Sequence, residues 1–163
     1  MRYLASALTV LATALWLGGL VTLVICATAI FKVSGLDRET AGRATSAMFV
    51  WFGRVQLGFA AFALIAAFLG YLQARGSGSV ALFVLFALGA VGAVLFNMWL
   101  VPRLEEMRIA GQSQTPAFDA LHKRSEQLMT LVTVLLLIAS VVVPRFCREL
   151  FASPRSGATS PIA

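Results

Sequence analysis

Four long apolar runs, separated by charged or turn-forming segments, dominate the chain. They lie at residues 4–31, 55–72, 80–101 and 128–143. A helix rises about 1.5 Å per residue, so about 20 apolar residues cross about 30 Å of hydrocarbon. The fourth run reaches that length comfortably only with its more polar approach from Phe118. The sequence therefore predicts four transmembrane helices.

The composition agrees with a membrane protein of one domain. Hydrophobic residues make up 60% of the 163 residues and charged residues only 12%, which is far from the balance of a soluble domain. The formal net charge of +6 comes from basic residues that flank the apolar runs. The expected partner is therefore the lipid bilayer with its anionic headgroups, and no nucleic acid partner is expected. We expect an integral protein of the bacterial inner membrane.

Four spans place both termini on the same side of the membrane, which we call the terminal face. The Gly- and Ser-rich turn at residues 73–79 lies on this face. The expected fold is all-α: an integral membrane four-helix bundle of two hairpins, packed through stripes of small residues. Pro144 is expected to end the last helix. Residues 1–147 would then form the four-span transmembrane domain, and residues 148–163 a disordered C-terminal tail.

The opposite side, which we call the charged face, is built from longer segments. Residues 32–53 and 102–126 hold every acidic residue except Glu149. Asp37 is a favourable N-cap, so the second helix is expected to begin there. Pro116 favours the first turn of the fourth helix. The helices are therefore expected to extend beyond the bilayer on this face.

The only histidine, His122, invites a test for a metal or catalytic site. His122 and Glu126 have the i, i+4 spacing of paired metal ligands and are weak candidates for one, although a solvated ion pair explains the same spacing. Asp119, His122 and Ser125 follow at three-residue intervals, which splays them over one helix instead of forming a triad. The sequence predicts no enzymatic activity and no cofactor, with a metal ion left as an alternative.

Several polar side chains map to the charged-face ends of the predicted helices. Polar groups at membrane depth are costly, so their convergence would form a candidate polar cluster facing the bundle interior. Ion-paired scaffolding explains the same residues, and an arginine there either snorkels to the interface or pairs with a carboxylate. The candidate residues are Arg43, Arg54, Asn97, Arg103, His122 and Ser125.

Several blocks of the sequence occur together in a known family. They are Leu15-Trp16-Leu17-Gly18-Gly19, Arg43 with the aromatic stretch 49–52, Asn97-Met98-Trp99-Leu100-Val101-Pro102-Arg103, and Phe118-Asp119-Ala120-Leu121-His122-Lys123-Arg124-Ser125. In these blocks the chain resembles the transmembrane protein 205-like family over about residues 15–129. The resemblance implies a small four-span helical membrane protein, linked in eukaryotes to cisplatin resistance, with no established biochemical activity.

Two functional hypotheses follow. The first is a non-enzymatic structural or accessory subunit that docks a membrane-protein partner, or a second copy of itself, through the charged face. The second is binding or transport of a small solute or metal ion, as in metal or drug tolerance, through the polar cluster. A ligand site requires inward-facing residues around a cavity, whereas docking requires mutually satisfied residues and an exposed patch.

Overall fold

The computed structural model describes residues 1–32 and 35–152. Within these residues the chain forms four long helices and no strand. They are α1 (Arg2–Lys32), α2 (Arg38–Gln73), α3 (Ser77–Ile109) and α4 (Pro116–Ala152). Each is long and apolar enough to cross a bilayer. The all-α four-span bundle is confirmed, and the chain is an integral membrane protein.

A short stretch of π-helix interrupts α3. Its α-helical part Ser77–Leu95 is followed by a π-helical turn, Phe96–Leu100, and then by α-helix Val101–Ile109. The N–H of Val101 bonds to the carbonyl of Phe96, five residues earlier. The π-helical turn lies just before Pro102. The backbone nitrogen of a proline has no hydrogen to donate, and its ring crowds the carbonyl four residues earlier. A π-helical turn widens the helix there, and such turns are frequent at functional sites.

The helices pack as a closed square. α1 and α3 each contact both α2 and α4, so the two hairpins lie side by side. The interior combines large side chains on α1, α3 and α4 with buried alanines on α2, which let the neighbouring helices approach closely. Its fully buried members include Trp16, Leu82, Phe86, Leu136, Phe146, Ala63 and Ala67.

The small residues that were expected to pack the hairpins together are buried on α3 but exposed on α1. On α3, Gly89 and Ala93 are buried, as expected for a packing surface. On α1, Ala14, Gly18 and Thr22 are exposed, and a Cβ added to Gly18 would meet nothing within 4 Å. The expectation that the α1 stripe packs the hairpins together is wrong, because α1 turns its larger residues to the core and leaves the small stripe outside.

The fourth helix does not end at Pro144. It continues to Ala152, so residues 148–152 of the expected tail are helical, whereas residues 153–163 lie outside the described residues. Pro144 removes one main-chain hydrogen bond. Burial of Phe146 and Leu150 in the following turns offsets that loss.

A carboxylate ties this last part of α4 to the start of α3. The two oxygens of Glu149 accept hydrogen bonds from the N–H of Gly78, at 2.9 and 3.0 Å, and the Oε2 atom accepts one from Ser79 at 3.3 Å. The first N–H groups of a helix have no partner within it, and a negative charge there is favourable. Glu149 therefore caps α3 from a neighbouring helix.

Aromatic residues mark two levels along the bundle. Gly53 of α2 packs on Asn97 of α3, so these antiparallel helices bring the exposed Trp51 and Trp99 to a similar level. Tyr71 lies about 30 Å from Trp51 along α2, which is the thickness of the hydrocarbon layer. Tryptophan and tyrosine favour the two membrane interfaces. The start of α2 therefore projects beyond the bilayer on the charged face.

Candidate functional site

The candidate polar cluster does not converge inside the bundle. Ser125 is buried and Asn97 is half-buried, in agreement with an inward orientation. The other four residues are exposed, so they do not face the bundle interior as the candidate polar cluster requires. They are Arg43, Arg54, Arg103 and His122. The physical reason is that each position lies on the outer side of its helix, where charge is easier to solvate. For Arg54 this agrees with the snorkelling alternative.

Asn97 forms the joint between α2 and α3. Its Nδ2 atom donates to the carbonyl of Ala93 at 2.8 Å, within its own helix. Its carboxamide lies directly against Gly53, where an added Cβ would be 2.8 Å from Asn97 Cγ. A glycine on α2 therefore creates the space that the Asn97 side chain fills. Asn97 serves packing at the π-helical turn, and its amide donor is satisfied.

A polar network at the charged face was not expected from the sequence. Ser46 Oγ donates to Glu105 Oε2 at 3.0 Å, and Arg108 binds both Glu105 oxygens at 2.6 and 3.1 Å. A bidentate arginine–carboxylate pair is among the stronger polar contacts. The i, i+3 spacing could have predicted the Glu105–Arg108 pair, but nothing in the sequence placed Ser46 beside them. The network joins the projecting parts of α2 and α3.

The start of α2 is fixed by its N-cap, as the sequence predicted. Asp37 Oδ1 accepts hydrogen bonds from the backbone N–H groups of Glu39 and Thr40, at 3.0 and 2.9 Å. Hydrogen bonds to a carboxylate favour its charged form and so lower the pKa of Asp37. The Thr40 side chain contributes most, followed by the backbone N–H of Thr40. The projecting end of α2 is thus ordered by a charged cap.

The polar and ring contacts of His122 among the described residues lie along its own helix. Its Nε2 atom lies 3.3 Å from Glu126 Oε1, and its ring stacks on Phe118 with centroids 6.1 Å apart. The Ser125 hydroxyl donates to the His122 carbonyl at 2.6 Å, so the imidazole does not activate it. No group of three or more His, Cys, Asp or Glu suited to a metal occurs among the described residues. His122 and Glu126 therefore offer two ligands on an exposed surface.

The three candidate arginines have separate environments. Arg43 Nη1 lies 3.8 Å from Glu39 Oε1, with both side chains exposed. The guanidinium of Arg54 lies over the Trp51 ring, 5.0 Å from its centroid. Arg54 thus reaches towards the interface, as in the snorkelling alternative. Arg103 is exposed, and the described part of the chain provides no ion pair for it.

One polar residue that sequence reasoning missed lies in the bundle interior. Gln56 is fully buried, its Nε2 atom is 4.0 Å from Met129 Sδ across the bundle, and its Oε1 atom has no partner among the described residues. A thioether is a weak acceptor. A lone glutamine near the start of the apolar run 55–72 was the signal that could have identified it.

Two surface depressions lie towards the terminal face. One, of about 280 Å³, is almost entirely apolar, and the other, of about 370 Å³, adjoins Glu149. They are lined by Phe68, Tyr71, Val80 and Phe83, and by Ala74, Arg75, Gly76, Glu149 and Ala152, respectively. Neither contains a residue of the candidate polar cluster.

Comparison with known proteins identifies one related family. No curated protein and no solved structure matches the chain. A family described as a domain of unknown function, DUF4149, matches residues 11–113. The match covers α2, α3 and most of α1, including the Gly53–Asn97 joint and the π-helical turn. Because the match spans more than half of the sequence, the chain belongs to the DUF4149 family.

Proposed function

We propose that the protein is a non-enzymatic accessory subunit that docks a partner membrane protein through the charged face. One observation carries the proposal: several polar residues at this end turn outward and bind neighbours on their own helix, and they do not converge on a pocket. Arg43 with Glu39 and His122 with Glu126 are examples. A site for a small molecule needs polar groups that converge on a concave pocket. A projecting surface that combines local ion pairs with exposed cations suits contact with a protein.

The order of this surface supports docking. The Asp37 cap fixes the start of α2, and the contact of Ser46 with Glu105 joins α2 to the tip of α3. A surface that is ordered before binding loses less conformational entropy in a complex. The charged face is thus held in shape by its own contacts, independently of any ligand.

The chemistry of the surface defines the partner. Arg103, Lys123 and Arg124 are exposed and have no ion pair among the described residues. Ile109, at the end of α3, is 79% exposed. Apolar contact at the centre and opposite charge at the rim are typical of protein interfaces. The partner should therefore present an acidic surface with an apolar contact point.

Photo-crosslinking in living cells tests the proposal. A photoreactive amino acid at Ile109 should give one discrete protein adduct, which the double variant R103E/R124E should weaken because opposite charges no longer meet. The control position is Val141, which is 78% exposed at mid-helix in α4 and faces lipid. It should give no discrete protein adduct. Equal adducts at both positions, or an adduct insensitive to charge reversal, would contradict docking through this face.

Binding of a small solute or metal ion is the second candidate. The observation in its favour is the His122–Glu126 pair, whose 3.3 Å separation leaves two adjacent ligands open to the exterior. Metal analysis of the detergent-purified protein tests it directly. One equivalent of bound transition metal that is lost in H122A would favour this function. Metal content at the level of H122A would leave docking as the better account.

The proposal also includes a more specific family and a cellular location for the protein. The motif blocks favour a place near the transmembrane protein 205-like proteins, and the composition favours the inner membrane of a bacterium. The match to the domain of unknown function specifies neither that family nor a location. Fractionation of cell membranes would test the location.

A further inference from the structure

Trp51 and Arg54 form an outward-facing pair on α2 at the charged-face interface. The two intervening residues face neighbouring helices: Phe52 lies near Gly19 of α1, and Gly53 lies against Asn97 of α3. Trp51 and Arg54 therefore face the outside of the bundle. Trp51 is 66% exposed. In the membrane this surface is in contact with lipid.

Arg54 starts deeper in the bilayer than Trp51. Its Cα lies about one helical turn further along α2 towards the terminal face. The side chain nevertheless reaches back, because its Cζ atom is 5.0 Å from the centroid of the Trp51 ring. The aromatic ring thus holds the guanidinium at the level where tryptophan meets the lipid headgroups.

The contact with the indole leaves donors of the guanidinium available. The Arg54 Cζ atom lies over the Trp51 ring, 5.0 Å from its centroid, and a guanidinium carries five N–H donors around its edge, more than one ring can engage. No ion pair among the described residues includes Arg54. An arginine edge matches two oxygens of a phosphate. The missing partner is therefore an anionic group at headgroup depth.

We propose that Arg54, held by Trp51, binds the phosphate of an anionic phospholipid headgroup. The net charge of +6 favours anionic over zwitterionic lipid. The site is distinct from the proposed docking surface, because it faces lipid at the membrane boundary and not the projecting tip. It would anchor the depth of α2, and with it the position of the projecting charged face.

Native mass spectrometry of the delipidated protein tests this site. Phosphatidylglycerol should bind more tightly than phosphatidylcholine, and R54Q should weaken the tightest phosphatidylglycerol site about tenfold, as expected for loss of charged hydrogen bonds. R54K keeps the charge but loses the planar fork, so it should weaken the site several-fold. R43Q is the control: it removes an exposed arginine of the same helix that is already beside Glu39. Its binding should equal that of the wild type.

Several outcomes would overturn the proposal. Unchanged preference for phosphatidylglycerol in R54Q would remove Arg54 from the site. Equal losses in R54Q and R43Q would show general attraction of charge without a specific site. Competition by inorganic phosphate at matched concentration would indicate a soluble anion instead of a lipid. If R54Q does not fold, W51A provides the test, since loss of stacking should also weaken the site several-fold. Unchanged binding in W51A and R54K would then refute the proposal.

Discussion

Replacing Gly70 by alanine should destabilise the bundle, because α2 and α4 touch there without a gap. A Cβ at this position would lie 2.5 Å from Phe146 Cε2, whereas carbon atoms pack at about 3.5–4.0 Å. The Phe146 ring would have to retreat by about 1 Å or more. It is fully buried, and a close-packed interior yields little.

The size of the effect follows from two opposing contributions. Overpacking a core costs about 1–3 kcal/mol. Alanine recovers up to about 1 kcal/mol of helix propensity relative to glycine. The net change in the free energy of unfolding should be a loss of about 1–2 kcal/mol. Gly58 provides the matched control on the same helix, because a Cβ added there meets nothing within 4 Å.

Reversible unfolding in mixed detergent and sodium dodecyl sulfate micelles measures both variants. Gly58→Ala should be as stable as the wild type or slightly more stable. Gly70→Ala should unfold at a lower denaturant fraction, and Phe146→Leu should recover part of the loss when combined with it. If Gly70→Ala matches Gly58→Ala, the close contact between α2 and α4 is not present in the folded protein, and the packing argument fails.

Three further substitutions test other contacts. Glu149→Gln weakens the charged cap on α3 and should cost about 1–2 kcal/mol, measured in the same unfolding assay. Asp37→Ala should lower stability near neutral pH. Because the folded pKa of Asp37 is lowered, its contribution is present above the unfolded pKa and is lost as pH falls through the folded value, so the wild type and the variant should converge in acid. Gln56→Leu removes a buried carbonyl that has no partner within residues 1–32 and 35–152, and it should be neutral or stabilising. A loss of stability above about 1 kcal/mol would contradict the absence of a partner.

The features predicted correctly depend on local sequence. Apolar length alone predicted four spans, and the cap at Asp37 and the proline at position 116 predicted where α2 and α4 begin. These signals act within one or two helical turns and need no knowledge of neighbouring helices.

The features that were missed depend on contacts between distant residues. Pro144 was expected to end α4 because the cost of a proline inside a helix can be read from the sequence. The compensating burial of Phe146 against Gly70 depends on a distant residue and cannot be read from it. Glu149 finds its partners about 70 residues away. His122 faces outward because of the rotation of α4 about its own axis. The packing of the whole core sets that rotation, and a single stripe of residues does not.

The four-span arrangement, with its charged face on one side of the membrane, is tested most directly by cysteine accessibility. Single cysteines at Leu36, Gln112 and Arg75 would be introduced into a chain whose Cys26 and Cys147 are replaced by alanine. A membrane-impermeant thiol reagent should label positions 36 and 112 from the same side, and position 75 only from the opposite side. Labelling of positions 36 and 112 from opposite sides would contradict the four-span bundle and the charged face built on it.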